Sequence, residues 1–177
     1  MKNLSLKICL AIAALASPVW SETLNDFVER NGKYYLKYSD EGFSGKVVGK
    51  IQGTLKDGLW EGKYTEYYSN GQLEWKGHYE DGKKDGLWEY YRENGQLFRK
   101  TNYKDGKREG LLEWYNENGQ VSSKGNYKDG KEDGAWEYYR ENGQLSDIMN
   151  FKDGKQEGLW EFYYENGQLG GKTNYKD

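Results

Sequence analysis

The chain has 177 residues, of which 31% are charged and 16% are aromatic, and its net charge is −3. This charge provides no basic field for nucleic acid, and it is not basic enough to bind membrane lipid electrostatically. The single cysteine, Cys9, and the single histidine, His78, exclude an intrachain disulfide and argue against a His/Cys metal site. We therefore expect no cofactor, no metal and no nucleic acid.

Residues 1–21 predict a helical secretory signal peptide. Lys2 and Lys7 form a positive start, and a nine-residue apolar run follows over 8–16. Small residues allow cleavage after Ala16 or Ser21, and the proline just beyond Ala16 favours Ser21. The apolar run is shorter than the ~20 residues that span a bilayer. Because Cys9 stands near the start of the run, we expect no lipoprotein anchor, and a periplasmic or secreted mature chain.

Residues 22–56 have no regular repeat. Tyr34, Tyr35, Tyr38 and the segment 43–48 predict one or two strands. We expect this region to cap the repeats that follow, because the end of a sheet exposes unpaired backbone groups.

A 24-residue unit runs five times through 57–177. Asp-Gly recurs from Asp57-Gly58 to Asp153-Gly154, and an Asn-Gly-Gln follows in each unit. Asn-Gly between two strand-like runs predicts a hairpin turn in which both residues have positive φ. The Asp-Gly segments then connect one hairpin to the next. The fold class is all-β, an elongated single-sheet antiparallel meander whose ten repeat strands extend ~48 Å. Since the chain stops in mid-motif, we expect either a bare edge strand or an incomplete reading frame.

The second unit gives a register. With Asn94-Gly95 as the turn, Arg92 lies opposite Leu97, Tyr90 opposite Arg99, Glu89 opposite Lys100, and Trp88 opposite Thr101. One face of the sheet is then apolar in every unit. Its predicted members are Trp88, Tyr90, Leu97, Tyr103, Trp114, Tyr127, Trp136, Tyr138, Leu145, Phe151, Trp160, Phe162, Leu169 and Tyr175. Regular recurrence favours a structural core over a ligand groove, although an uncovered face of this size would mark an interaction surface.

The opposite face pairs Glu89 with Lys100, and equivalent pairs recur in later units. A third tyrosine column falls on this charged face and is the candidate interaction surface: Tyr67, Tyr91, Tyr115, Tyr139 and Tyr163. These rings form either a stacking ladder for sugars or a peptide, or cross-strand packing over Lys and Glu stems. Acids such as Asp81 and Asp85 fit turn chemistry better than a calcium site.

The unit Asp-Gly-Lys-x-Asp/Glu-Gly-Leu-Trp-Glu-x-Tyr-x-x-Asn-Gly-Gln-Leu resembles the bacterial variant of the MORN repeat (membrane occupation and recognition nexus). The resemblance covers 57–177 in five copies, and the segment 43–47 resembles the lead-in often seen before such repeats. It implies an extended, twisted, single-sheet hairpin array. It also implies roles in membrane or lipid attachment, scaffolding and dimerisation, and some bacterial relatives are named as antitoxin components.

No Ser/His/Asp or Cys/His constellation is present, and identical repeated units are a poor way to build one asymmetric active site. We therefore expect no enzyme. The leading hypothesis is an exported, non-catalytic interaction or scaffold module that binds a protein partner or itself. One alternative is a module that binds carbohydrate or a cell-envelope polymer. Another is an antitoxin or immunity protein that masks a toxin.

Overall fold

The protein is described from a computed structural model that covers residues 21–176. The predicted signal peptide, 1–21, lies outside the described residues except for Ser21. A single 3₁₀ turn, Leu24–Asp26, lies among strands. The strands are β1 (Ser21–Thr23), β2 (Phe27–Arg30), β3 (Lys33–Leu36), β4 (Gly45–Val48), β5 (Ile51–Lys56), β6 (Leu59–Tyr67), β7 (Leu73–Glu80), β8 (Lys83–Tyr91), β9 (Leu97–Lys104), β10 (Lys107–Tyr115), β11 (Val121–Lys128), β12 (Lys131–Tyr139), β13 (Leu145–Lys152), β14 (Lys155–Tyr163) and β15 (Leu169–Tyr175).

Thirteen strands of the described chain form one sheet in the order β1-β4-β5-β6 and onward to β15, and β2 and β3 form a separate hairpin. From β4 to β15 every strand pairs antiparallel with the next along the chain, whereas β1 pairs parallel with β4. The ten strands β6–β15 are the ten that the five repeats predict. The all-β class and the single-sheet meander are confirmed.

The two kinds of turn have the opposite roles from those predicted. Asp81 and Gly82 have φ of 47° and 76°, and Glu80 pairs with Lys83, so Asp-Gly forms the two-residue hairpin turn that needs positive φ twice. At Asn94-Gly95 only the glycine has positive φ. The amide of Gly95 donates to the carbonyl of Arg92 at 2.8 Å, which closes a longer loop.

An Asn side chain explains the longer loop. Asn94 Oδ1 accepts a hydrogen bond from the amide of Gln96 at 3.0 Å, and Asn70, Asn118, Asn142 and Asn166 each do the same two residues ahead. This Asx geometry holds the loop with the Asn backbone outside the left-handed region.

The predicted register is right along the strands and wrong at the loop. Trp88 pairs with Thr101, Glu89 with Lys100, and Tyr90 with Arg99. A β-bulge then shifts the register, so that Leu97 pairs with Tyr91 and not with Arg92. The longer loop causes this shift, because its extra residues must be absorbed before the ladder begins.

A second bulge lies between neighbouring hairpins. Lys76 pairs with Glu89, but His78 pairs with Asp85, which leaves Gly86 to Trp88 opposite Gly77 alone. Gly86 has φ of 66° there, which explains the second glycine of each unit.

The N-terminal region holds more strands than the one or two predicted: β1 to β5 all lie within residues 21–56. β4 and β5 extend the sheet, and the β2–β3 hairpin packs on its first unit. Phe27 contacts Phe43 at a centroid distance of 4.9 Å, and Tyr34 contacts Trp60 at 5.7 Å. These rings join Trp60, Tyr64 and Trp88 in one buried cluster.

Candidate interaction surfaces

Trp88 is the centre of the face predicted to be apolar, here called the aromatic face. It is 0% exposed because its ring lies 5.0 Å from Tyr79, 5.6 Å from Tyr64 and 6.3 Å from Tyr103 by centroid distance. Its indole N–H donates to the carbonyl of His78, whose own side chain is exposed on β7. In this part of the sheet the aromatic face is a core built from its own side chains.

The residue beneath each large side chain sets how deeply it packs. A Cβ on Gly77 would lie 2.3 Å from the Trp88 ring, and one on Gly125 would lie 2.2 Å from Trp136. Where Thr101 replaces the glycine, the smaller Leu112 replaces the tryptophan and is 1% exposed. Small and large residues therefore compensate across neighbouring strands.

Burial on the aromatic face decreases towards β15. Trp136 is 4% exposed, whereas Leu169 is 47% and Tyr175 is 38% exposed. Tyr90 is buried, and the remaining predicted members are half-buried: Leu97, Tyr103, Trp114, Tyr127, Tyr138, Leu145, Phe151, Trp160 and Phe162.

Three cations among these rings were missed by the sequence reasoning. Lys84 Nζ lies 4.0 Å from the Trp88 centroid, Arg99 Cζ lies 3.9 Å from that of Tyr90, and Arg108 Cζ lies 5.1 Å from that of Tyr127. Burial lowers the pKa of Lys84. The signal was present, because the alternation that places Trp88 on this face also places Lys84 there.

The opposite face carries a line of alternating charges, here called the charge ladder. Successive strands pair Lys76, Glu89, Lys100, Glu113, Lys124, Glu137, Ile148, Glu161 and Lys172. The predicted within-hairpin pairs are thus in register. Two ion pairs join neighbouring hairpins instead: Lys76 to Glu89 at 2.7 Å and Lys124 to Glu137 at 3.1 Å. Ile148 interrupts the alternation.

The candidate tyrosine column lies beside this ladder, and all five rings are half-buried. Tyr115 Oη donates to Glu113 at 2.9 Å, Tyr163 Oη donates to Glu161 at 3.1 Å, and Tyr139 Oη donates to Glu137. Lys76 Nζ lies 5.4 Å from the Tyr91 centroid. The fifth ring, that of Tyr67, follows Thr65 in place of a glutamate. This geometry favours packing over Lys and Glu stems over an open stacking ladder.

The ladder and the tyrosines shift each other's pKa. Burial, then the bond to Glu113, raises the pKa of Tyr115 to about 12. The Tyr139 hydroxyl, then Lys124, lowers the pKa of Glu137, and the bond to Glu89 raises that of Lys76. At neutral pH the ladder is therefore fully charged and its tyrosines are neutral.

A stripe of exposed leucines runs parallel to the ladder and was also missed. Leu87 is 48% exposed, Leu111 is 41% and Leu159 is 37%, and Ala135 holds the equivalent place between them. Each lies two residues before a ladder glutamate, so strand alternation puts it on the ladder face. Recurrence at one position of the unit is the signal that could have revealed it.

The acids near the Asp-Gly turns have a structural role. Glu61 accepts a hydrogen bond from the amide of Asp81 at 3.0 Å, and Glu109 accepts one from the amide of Asp129 at 2.8 Å. Over residues 21–176, no group of three or more His, Cys, Asp or Glu side chains is placed to hold a metal ion.

Hydrogen bonds also join each long loop to the next. Tyr68 Oη donates to the carbonyl of Tyr91 at 2.7 Å, and Arg92 donates to that of Tyr115 at 2.9 Å. Asn70 and Asn118 donate to loop carbonyls one unit ahead. The units therefore stack through their loops as well as their strands.

Comparison with known families explains the period. The MORN repeat variant matches residues 60–81, 84–105, 108–129, 132–153 and 156–177. The chain belongs to this family. MORN repeats form modules that often mediate protein or membrane interactions, and the family is generally non-catalytic. Comparison with curated protein sequences gives no match.

Solved structures share parts of the fold at low similarity. *S. aureus* TarM in complex with fondaparinux, alpha-GlcNAc-glycerol and UDP is 12% identical over 54% of this chain and 19% of that chain, with a TM-score of 0.37. A GtfA/B complex bound to UDP and GlcNAc is 12% identical over 75% and 24%, with a TM-score of 0.25. This chain thus spans about a fifth of each of them, and the likeness carries no functional argument. Among the described residues, no helix has the length and apolarity needed to cross a membrane.

Proposed function

We propose that this MORN-repeat protein is an exported, non-catalytic scaffold that binds a protein partner through its charge-ladder face. The supporting observation is the leucine stripe, in which Leu87, Leu111 and Leu159 stay exposed at one position of successive units. Apolar side chains in a row beside alternating charges combine the apolar and polar contacts that protein interfaces use.

The test removes the stripe and keeps the sheet. The triple variant Leu87→Ser, Leu111→Ser, Leu159→Ser should lose a partner captured by cross-linking from the cell envelope and identified by mass spectrometry. The matched control is Lys83→Ser, Lys107→Ser, Lys131→Ser, which changes exposed residues at the same spacing. Equal capture by both variants, or a strictly monomeric wild type with no captured partner, would contradict the proposal.

Export is the second part of the proposal. It is supported by Lys2 and Lys7 ahead of the apolar run in 1–21. The expected result is a chain in the envelope or medium whose N-terminal residue is Glu22, with Ser17 as the product of the other predicted cleavage. A cytoplasmic chain that keeps residues 1–21 would exclude export.

The carbohydrate and antitoxin alternatives stay predictions. For the first, the tyrosine column would have to release hydroxyls that bind Glu113, Glu137 and Glu161. Retention on peptidoglycan that is lost in Tyr91→Ala with Tyr139→Ala would favour it over the protein partner. Growth rescue from a toxin encoded beside this gene would favour the second.

A further inference from the structure

The aromatic face builds a cage for an ammonium ion and fills it with its own lysine. Lys84 Nζ lies 4.0 Å from the Trp88 centroid, 4.9 Å from that of Trp75, and 5.4 Å from those of Tyr90 and Tyr103. It also donates to Tyr90 Oη at 3.1 Å. Ring faces attract cations, and the attraction grows as the site loses water.

The next unit also holds cations among its rings. Arg108 Nη1 donates to Tyr127 Oη at 3.1 Å. Arg99 Cζ lies 3.9 Å from the Tyr90 centroid and 4.9 Å from the Trp114 centroid. The first half of the aromatic face therefore carries its own cations.

The third unit keeps the rings and reverses the charge. Trp136 contacts Tyr127, Phe151 and Tyr138 at centroid distances of 5.5, 6.2 and 6.4 Å. Glu132, which pairs with Tyr127, stands where the first cage has Lys84.

A second acid completes the reversal. Asp147, which pairs with Tyr138, stands where the first cage has Trp75. In the part of the chain that the structure describes, no lysine or arginine lies over the ring of Trp136 or Tyr138. Burial, and then Glu132, raises the pKa of Tyr138, so the acid's charge reaches this ring.

We propose that the third unit binds a primary alkylammonium ion from outside the chain, held by Glu132 and Asp147 against Tyr138 and Phe151. Charge complementarity and the precedent of Lys84 in the equivalent cage carry the argument. Trp136 is 4% exposed and forms the floor, so the ligand contacts the half-buried rings around it. This site goes beyond the proposed partner surface, because it lies on the opposite face of the sheet.

The experiment is an NMR titration of the full chain with n-butylammonium chloride, which carries the same group as a lysine side chain. The Trp136 indole N–H should shift and saturate with one equivalent bound, and sodium chloride at equal ionic strength should not shift it. Glu132→Lys supplies the cage with its own ammonium and should weaken binding at least about tenfold. Glu117→Lys makes the same charge change in an exposed loop and should leave binding unchanged.

The reciprocal variant gives an independent measurement. Lys84→Glu removes the lysine from the first cage and should add a second bound equivalent, reported by the Trp88 indole N–H. Unchanged binding in Glu132→Lys, or a wild-type shift no larger than that with sodium chloride, would overturn the proposal. Loss of binding in Glu132→Lys together with the gain in Lys84→Glu supports it even if one variant is less stable.

Two further ligands distinguish the source of the ammonium. If 1,5-diaminopentane binds more tightly than a capped Gly-Lys-Gly peptide, the ligand is a free amine; the reverse order indicates a lysine side chain. Failure of both overturns the site. The leucine-stripe variant should bind n-butylammonium normally, so failure of the partner surface and failure of this site are separable.

Discussion

Trp88 and Trp160 hold the same position in units three repeats apart, yet only Trp88 is fully buried. Gly77 lies beneath Trp88, and four aromatic side chains surround it. Met149 pairs with Trp160, whose ring neighbours are Phe162 at 5.9 Å and Tyr175 at 6.3 Å. One sequence motif therefore gives a core or a half-open surface, depending on the residue beneath it and the rings beside it.

The largest expected effect separates these two tryptophans. Trp88→Ala should lower the free energy of unfolding by about 3–5 kcal/mol, as expected for a fully buried large aromatic residue. Trp160→Ala should cost about half of that or less, because its ring is already partly in water. Urea denaturation of the full chain measures both, and equal losses would show that the two units pack alike.

The second prediction concerns the space beneath the ring. Gly77→Ala and Gly125→Ala should each cost about 1–3 kcal/mol, because the new methyl group would overlap Trp88 or Trp136. Thr173→Ala, at the equivalent and exposed position opposite Trp160, is the control and should cost less than about 0.5 kcal/mol. Thermal unfolding is the measurement; a tolerated Gly77→Ala would mean that size compensation does not hold the core.

Alkaline pH should weaken the buried part of the face. Burial raises the pKa of Tyr79 to about 12, whereas an unfolded tyrosine ionises near ~10. Between these values the unfolded chain binds fewer protons than the folded chain, so stability is complete below ~10 and is lost as pH rises to about 12. The loss per such tyrosine is roughly 1 kcal/mol, discounted for partial exposure. Denaturation at several pH values should show a flatter slope for Tyr79→Phe, and an unchanged slope would assign the effect elsewhere.

The smallest effect tests the interruption of the charge ladder. Ile148→Lys places a cation between Glu137 and Glu161 and should raise stability by about 0.5 kcal/mol at low salt. Ile148→Gln, polar but uncharged, should not. A gain that persists in 1 M salt would rule out the electrostatic explanation.

Periodicity predicted the fold because five copies specify one register. The pairs of Trp88, Glu89 and Tyr90 follow from alternation alone. The turns did not, because Asn-Gly forms a two-residue turn at Asn31-Gly32 and a longer loop at Asn94-Gly95. The amide of Gln96, which binds the Asn94 side chain, decides between them.

The strands before residue 57 were underpredicted for a related reason. Without a repeat, nothing in the sequence fixes which short segments pair, and β1 reaches β4 through a parallel pairing. The cations of the aromatic face were hidden differently. Their column reads Trp60, Lys84, Arg108, Glu132 and Gln156, so it has no consensus although every member shares one place in the unit.

The loop-to-loop hydrogen bonds have a mechanical consequence. Each one, such as that from Arg92 to the carbonyl of Tyr115, ties a hairpin only to its immediate neighbour. A chain stretched between its two ends should therefore yield one hairpin at a time. Each rupture would release one 24-residue unit and lengthen the chain by roughly 80 Å, giving a regular saw-tooth of force against extension.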